Sequence, residues 1–191
     1  MRTIHVVGLD LSLCHTGVAE LGCAPDGRWS THTFPIPTAP TPAAGPPEPA
    51  VLERMNHIVA TLIPTCEHAD VLAIERPAYA AKGNATANLA GLWWLVFRRL
   101  SRFETPIVII SASSAKKYAT NNGNAAKRDV SRAAARMWPA VDTASGDEDD
   151  ALVLASMAAE MAGLPVPYER TTYRRAALNN VAHPDQLDPF T

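Results

Sequence analysis

The feature that most constrains this chain is where its carboxylates stand relative to its apolar runs. Residues 3–9 form a short strand of the buried kind that delivers Asp10 at its end, and residues 69–74 form another that reaches Glu75. The run Asp147-Glu148-Asp149-Asp150 opens a third apolar stretch, an Ala/Leu-rich helix expected over 147–161 and closed by Gly163 and Pro165. Carboxylates at the edge of a core are costly unless something neutralises them. In a sheet whose central strands are neighbours, strand ends lie side by side, so Asp10 and Glu75 can meet although 65 positions separate them. Asp147 and Asp150, three apart, project from one face of a first helical turn. Glu148 and Asp149 point elsewhere and read as dipole partners of the helix N-terminus.

The remaining pattern supplies the sheet and its covering layers. After a polar turn at His15-Thr16, residues 17–21 resume an apolar run as a hairpin partner would, and a third strand is expected over 29–36 after the turn signal Pro25-Asp26-Gly27. Prolines crowd residues 35–49, which read as a stiff extended surface loop with no regular element. Helical spacing of Leu52, Met55, Ile58, Val59 and Leu62 predicts a helix over 51–62, ended by Pro64. Residues 86–102 give the clearest amphipathic helix, 106–110 a buried strand, and 125–137 a helix stopped by Pro139, with a Ser/Ala/Lys segment and the turn Asn121-Asn122-Gly123-Asn124 between the last two. The order is α/β: a mixed sheet of three antiparallel strands then parallel ones, flanked by helices. One domain over 1–162 is expected, followed by a basic tail over 163–191 carrying Arg170, Arg174 and Arg175 and packed loosely.

Four carboxylates packed together raise one another's pKa unless cations neutralise them, so a divalent metal site is the economical reading. An oxygen-only ligand set favours Mg²⁺ or Mn²⁺ over zinc, and two such ions suit in-line attack of water on a phosphodiester. Taken singly, Asp147 and Asp150 are also ordinary helix-capping residues. The charge distribution points the same way as the metal reading. Residues 76–140 carry eleven basic and two acidic side chains, +9, while the rest of the chain carries -11, although the whole sums to only -2. A basic middle facing an acidic knot fits an enzyme acting on a polyanion; a solvated basic face is the plainer alternative.

Gly8-Leu9-Asp10-Leu11-Ser12-Leu13-Cys14-His15-Thr16-Gly17, then Ala73-Ile74-Glu75, then Asp147-Glu148-Asp149-Asp150-Ala151-Leu152 resemble the motifs of the RuvC-type Holliday junction resolvases of the RNase H-like, retroviral-integrase superfamily. The resemblance covers residues 1–162 and includes Ala81-Lys82-Gly83-Asn84-Ala85 and Gly123-Asn124-Ala125-Ala126-Lys127. It implies an RNase H-like five-stranded sheet, with Asp10, Glu75, Asp147 and Asp150 as metal-binding catalytic carboxylates and Lys127 as a catalytic basic residue. It further implies Lys82, Lys116, Lys117, Lys127 and Arg128 on the DNA surface, with Tyr79 as the candidate aromatic wedge, one position off the usual place. Two Mg²⁺ per site, with Mn²⁺ as a substitute, would support symmetric nicking of a four-way or branched DNA junction by a homodimer, leaving 5′-phosphates. The Pro-rich loop and the tail lie outside the common pattern, as in a phage branch. Nucleases of the same superfamily acting on RNA–DNA hybrids or flaps, and a non-catalytic DNA-binding relative, are the competing readings.

Other classes fit poorly. No stretch approaches the roughly 20 apolar residues of a membrane span, and Asp10 interrupts the run that a signal peptide would continue. A soluble protein of a reducing compartment, cytoplasmic in a bacterial or phage-infected cell, is expected, with no membrane partner. Cys14, Cys23 and Cys66 are odd in number and lack CxxC spacing, and Cys14 reads as packing. The histidines show no metal spacing. No nucleotide cofactor is expected, since the two-domain ATPases that also place an Asp after a strand need a second domain and a Gly-rich adenosine site. On the helix over 86–102, Trp93 belongs to the apolar stripe, while Trp94 needs another surface, a second subunit or a neighbouring loop.

Overall fold

The structure, a computed structural model, describes residues 2–39, 47–77 and 84–182. Strands β1 (Ile4–Asp10), β2 (His15–Cys23), β3 (Trp29–Pro37), β4 (Val71–Glu75) and β5 (Ile107–Ile110) form one sheet in the order β3-β2-β1-β4-β5. The first three strands are antiparallel neighbours, and β4 and β5 run parallel to β1. Helices α1 (Pro47–Cys66) and α2 (Asn84–Leu100) cover one face; α3 (Ala112–Thr120), α4 (Lys127–Met137), α5 (Gly146–Met161) and α6 (Thr172–Leu178) belong to the other. This is the mixed, RNase H-like sheet expected from the sequence.

The period of two along the central strands decides which residues face which layer. Val7, Leu9, Leu72 and Ile74 pack with Ile58, Leu62, Leu92 and Val96 on the α1/α2 side. Val6, Ala19 and Ala73 pack with Ala151, Leu154, Ala155 and Ala158 of α5 on the other. Gly8 and Asp10 share the parity of Val6, and Glu75 that of Ala73, so both strand-end carboxylates lie on the α5 face.

That face is built from small residues. Gly8 pairs with Ala19 on one side and Ala73 on the other, and Asp10 pairs with Gly17. A Cβ placed on Gly8 would lie 2.2 Å from the Ala151 carbonyl oxygen, and one on Gly17 would lie 2.0 Å from that of Asp147. The backbone of α5 therefore rests directly on the backbone of β1 and β2, its first turn over the end of β1. Buried from Ala151 to Ala159, α5 is a central helix covered on its outer side by other helices.

Several expectations are corrected. The Pro-rich stretch is not without regular structure: Pro35 and Pro37 lie within β3, and α1 begins at Pro47. β3 is an edge strand and the two prolines have the same parity, so their missing N–H groups fall on the side away from β2. Pro64 does not end α1, which continues to Cys66 through its last turn. The Ser/Ala/Lys segment forms α3, capped by Ser111, whose hydroxyl accepts from the Ser114 amide at 3.1 Å. Up to residue 182 the tail packs against the body of the protein, with Ala177 and Arg174 buried. Cys14 is exposed rather than packed.

Overpacking against rigid backbone has no cheap relief, so Gly8→Ala is expected to destabilise the fold by about 1–3 kcal/mol. Gly91→Ala is the control: it lies within α2, and its added Cβ would meet only the Met55 methyl, at 3.4 Å. It is expected to stabilise by about 0.5–1 kcal/mol. Urea unfolding checks both, as midpoint shifts of opposite sign with an unchanged m value.

Candidate metal centre and its basic surround

Each functional side chain is held by a local device. Asp10 ends β1, and the turn after it is pinned by Thr16, wholly buried, whose hydroxyl donates to the Ser12 carbonyl at 2.7 Å and accepts from the Ser12 amide at 3.1 Å. Glu75 ends β4, one step beyond the Leu9–Ile74 pair of the parallel ladder. The Trp93 indole N–H donates to the Glu75 carbonyl at 2.8 Å, tying the end of β4 to α2. Trp93 thus supports the site, a role its place on an apolar stripe does not announce.

The start of α5 is set by Ser145 as its N-cap. The Ser145 hydroxyl accepts from the Glu148 amide at 3.4 Å and donates to the Glu148 carboxylate at 3.1 Å. Thr33 of β3 also donates to Glu148, at 2.9 Å, and Thr143 donates to Asp149 at 2.7 Å. These two acids are therefore buried, hydrogen-bonded framework residues that fix the first turn, a tighter task than dipole matching. Asp147 and Asp150 are left facing β1.

One oxygen from each of Asp10, Asp147 and Asp150 lies within 4.8 Å of the others. Glu75 is outside that trio but borders it: burial, followed by the Asp150 charge, pushes its pKa up to about 7. Burial also raises Asp10 well above the usual carboxylate range, with Glu75, Asp150 and Asp147 adding to the effect. Asp150 is raised, chiefly by burial, with Lys127 opposing. The ammonium of Lys127 donates to Asp147 and lies 3.6 Å from Asp150. Burial works against the charge on Lys127, but its hydrogen bond to Asp147 and the field of Asp147, Asp150 and Asp10 carry its pKa upward. Gly146 makes room for this side chain: a Cβ there would fall 2.5 Å from the Lys127 Cε.

The remaining basic candidates surround this cluster unevenly. Lys116 and Lys117 are half-buried on α3, and the charge of Lys116 reaches Glu75, lowering its pKa. Arg128, Arg132 and Arg136 form an exposed row at four-residue spacing along α4, with Arg128 and Arg132 near Asp129 at 3.9 and 3.5 Å. Arg132 and Arg136 extend the basic surface beyond the residues singled out from the sequence; their spacing on a helix stopped by Pro139 was the available signal. Tyr79 and Lys82 lie outside the described residues. No histidine or cysteine joins a metal-ligand group among the described residues.

The donor set suits a hard divalent cation. Its atoms are all carboxylate oxygens, and raised pKa values at Asp10, Glu75 and Asp150 mark a cluster short of positive charge even with Lys127 present. The acidic trio can bind a metal ion.

No family model and no curated protein matches the chain. Solved structures do. Thermus thermophilus RuvC is similar over 86% of this chain and 100% of its own, with a TM-score of 0.64 at 17% identity. T. thermophilus RuvC in complex with a Holliday junction substrate gives a TM-score of 0.66 over 86% of this chain and 99% of that one, again at 17% identity. The yeast mitochondrial Holliday junction resolvase Ydc2 gives 0.50 at 14% identity, over 81% of this chain and 78% of its own. At such identities the likeness is one of fold: the chain has the RNase H-like fold of RuvC.

The electrostatics set a measurable pH dependence. The folded pKa of Glu75, about 7, lies above its ordinary value of 4.5, so the folded state binds this proton more tightly than the unfolded chain. The stability this contributes is complete below about pH 4.5 and is lost as pH rises through about 7. A bound cation should cancel the loss. Thermal melts with and without Mg²⁺ are expected to show a larger stabilising increment at pH 8 than at pH 5.5. Asp10→Asn is expected to raise the metal-free melting temperature at pH 8, by roughly 2–4 °C for each kcal/mol of repulsion removed, and to shrink the Mg²⁺ increment.

Proposed function

We propose that this chain is a structure-selective endodeoxyribonuclease that resolves four-way or branched DNA junctions by metal-dependent phosphodiester hydrolysis. The observation that carries the reading is the carboxylate trio of Asp10, Asp147 and Asp150 at one end of a RuvC-like sheet, bordered by Glu75 and by the basic helices α3 and α4. The junction-bound state of a protein of the same fold gives the substrate class its support.

Asp10, Glu75, Asp147 and Asp150 would hold Mg²⁺, two ions per site, with Mn²⁺ as a substitute. When bound, these ions would activate the attacking water and stabilise the leaving 3′ oxygen, so that cleavage would leave a 5′-phosphate and a 3′-hydroxyl. Glu148 and Asp149 keep the first turn of α5 in register, and Trp93 keeps the end of β4 in place, so the ligands are preorganised. Lys127 holds positive charge between Asp147 and Asp150, and with a divalent cation held by those carboxylates its ammonium would be free to contact the scissile phosphate. Lys116, Lys117 and Arg128, with Arg132 and Arg136 further along α4, would contact the DNA backbone. Tyr79 and Lys82 are proposed for the same surface.

Two sites acting together would nick two strands symmetrically, and we place the second in a homodimer. Trp94 of α2 is 56% exposed, edge-on to Trp93 and Phe97, and Leu52 of α1 is 55% exposed. A second copy covering these side chains would remove the most exposed large apolar groups among the described residues. No described helix is long and apolar enough to cross a membrane, and the reading places the protein in the cytoplasm of a bacterial or phage-infected cell.

A nicking assay with Mg²⁺ tests the reading, comparing a synthetic four-way junction with linear duplex, a flap and an RNA–DNA hybrid. Paired symmetric nicks confined to the junction, absent for Asp10→Asn, are expected; preferential cleavage of hybrid or flap would refute the substrate. Asp150→Asn is expected to bind the junction while failing to nick it. Arg132→Ala should lower the slope of log affinity against log salt by about one unit, because it removes one phosphate contact, while leaving the metal-dependent melting shift intact.

A further inference from the structure

Helix α3 carries Lys116 to the edge of the sheet where Glu75 stands, but little in the helix itself accounts for its position. It is nine residues long, too short to be stable alone. Its buried residues are Ala115, Tyr118 and Ala119, so one large side chain anchors it. The far side of that anchor is a cluster that the metal centre does not use. The Tyr118 hydroxyl donates to Glu160 of α5 at 2.7 Å and lies 2.7 Å from the Tyr168 hydroxyl, which reaches the Ser156 carbonyl of α5 at 3.3 Å.

Into this cluster α6 inserts Arg174, only 7% exposed. Its guanidinium carbon lies 4.9 Å from the ring centroid of Tyr168, 5.5 Å from Tyr173 and 5.7 Å from Tyr118. One terminal nitrogen donates to the Glu169 carbonyl, whereas Nε has no hydrogen-bond partner among the described residues. The ring faces are thus its main compensation. Burying an arginine this way is a poor route to stability, since an apolar side chain of similar volume serves as well or better. It is a good route to a fixed geometry: a planar cation among three rings has few alternative seats.

We propose that Arg174 is a positioning residue, clasping α3 against α5 through the Tyr118–Tyr168 pair and so holding Lys116 at the catalytic edge of the sheet. The connection to that edge is direct. α3 follows β5 after the single residue Ser111, and the last residue of β5, Ile110, pairs with Glu75 and accepts from the Arg76 amide at 2.7 Å. The segment after α5 is therefore a part of the site's support. This inference rests on the proposed junction nicking for its functional half and stands apart from it for its structural half.

The test is a double-mutant cycle on the full chain, read as the single-turnover nicking rate on a four-way junction with Mg²⁺. Arg174→Met keeps the volume and removes the charge. It is expected to slow nicking about fivefold when Lys116 is present and to have no further effect in Lys116→Ala, the non-additivity of residues acting as one unit. Arg174→Lys should recover part of the rate. Equal losses in both backgrounds, or no loss, would overturn the proposal. Hydrogen exchange reads the clasp independently: faster exchange at residues 115–121 in Arg174→Met, with α4 unchanged, is expected, and unchanged exchange overturns the proposal even if nicking falls. Should Arg174→Met fail to fold, Tyr168→Phe takes its place in the cycle and in the exchange measurement. A wild-type chain that nicks none of the substrates contradicts the proposed function instead, and exchange alone then decides the clasp.

Discussion

The direct contact of the α5 backbone with the sheet is the constraint on which the rest depends. It requires small residues at Gly8, Gly17, Ala19 and Ala73 on one face of three adjacent strands, and an Ala-rich inner surface on the helix. With larger side chains there, α5 would stand off the sheet and its first turn could not reach the end of β1. The glycines of the opening motif, on this account, serve an approach between backbones. The carboxylates that follow them depend on that approach for their mutual distance.

What the approach creates is electrostatic strain of a useful kind. Asp10, Asp147 and Asp150 are brought within 4.8 Å of one another, and Glu75 borders them with its pKa pushed up to about 7. The folded chain carries a burial cost, with mutual repulsion added to it, that one lysine relieves in part, and a divalent cation is what would relieve the remainder. Around this deficit the structure is satisfied: Glu148, Asp149 and Thr16 all have partners. The polar groups that build the frame are paired, and the carboxylates that repel one another are the ones that face the centre.

Most of the sheet and the identity of the acidic cluster were legible in the sequence, because short apolar runs and their terminal carboxylates are local signals. Side-chain parity was implicit in the same runs, which is why Asp10 and Glu75 share a face. The missing parts have physical reasons. α3 escaped because its inward residues, Ala115 and Ala119, are too small to produce a helical stripe, leaving Tyr118 alone to mark it. Prolines misled at Pro35, Pro37 and Pro64: an edge strand tolerates a missing N–H on its outer side, and α1 runs on to Cys66 past Pro64 although that residue cannot donate to the helix ladder. Arg174 suggested a solvated tail, because nothing local reveals that three tyrosines from two separate segments would enclose it. The tie between Trp93 and the Glu75 carbonyl, and the buried partners of Glu148 and Asp149, are long-range pairings of the same sort.

The close seating of α5 would make a divalent-cation site out of Asp10, Asp147 and Asp150. Anomalous scattering from crystals grown with Mn²⁺ tests it most directly. A manganese peak bounded by those three carboxylates is expected, with Glu75 at its border and the Lys127 ammonium drawn away from Asp147. Density showing Lys127 still paired with Asp147 and no manganese at the cluster, in crystals saturated with the ion, would contradict it.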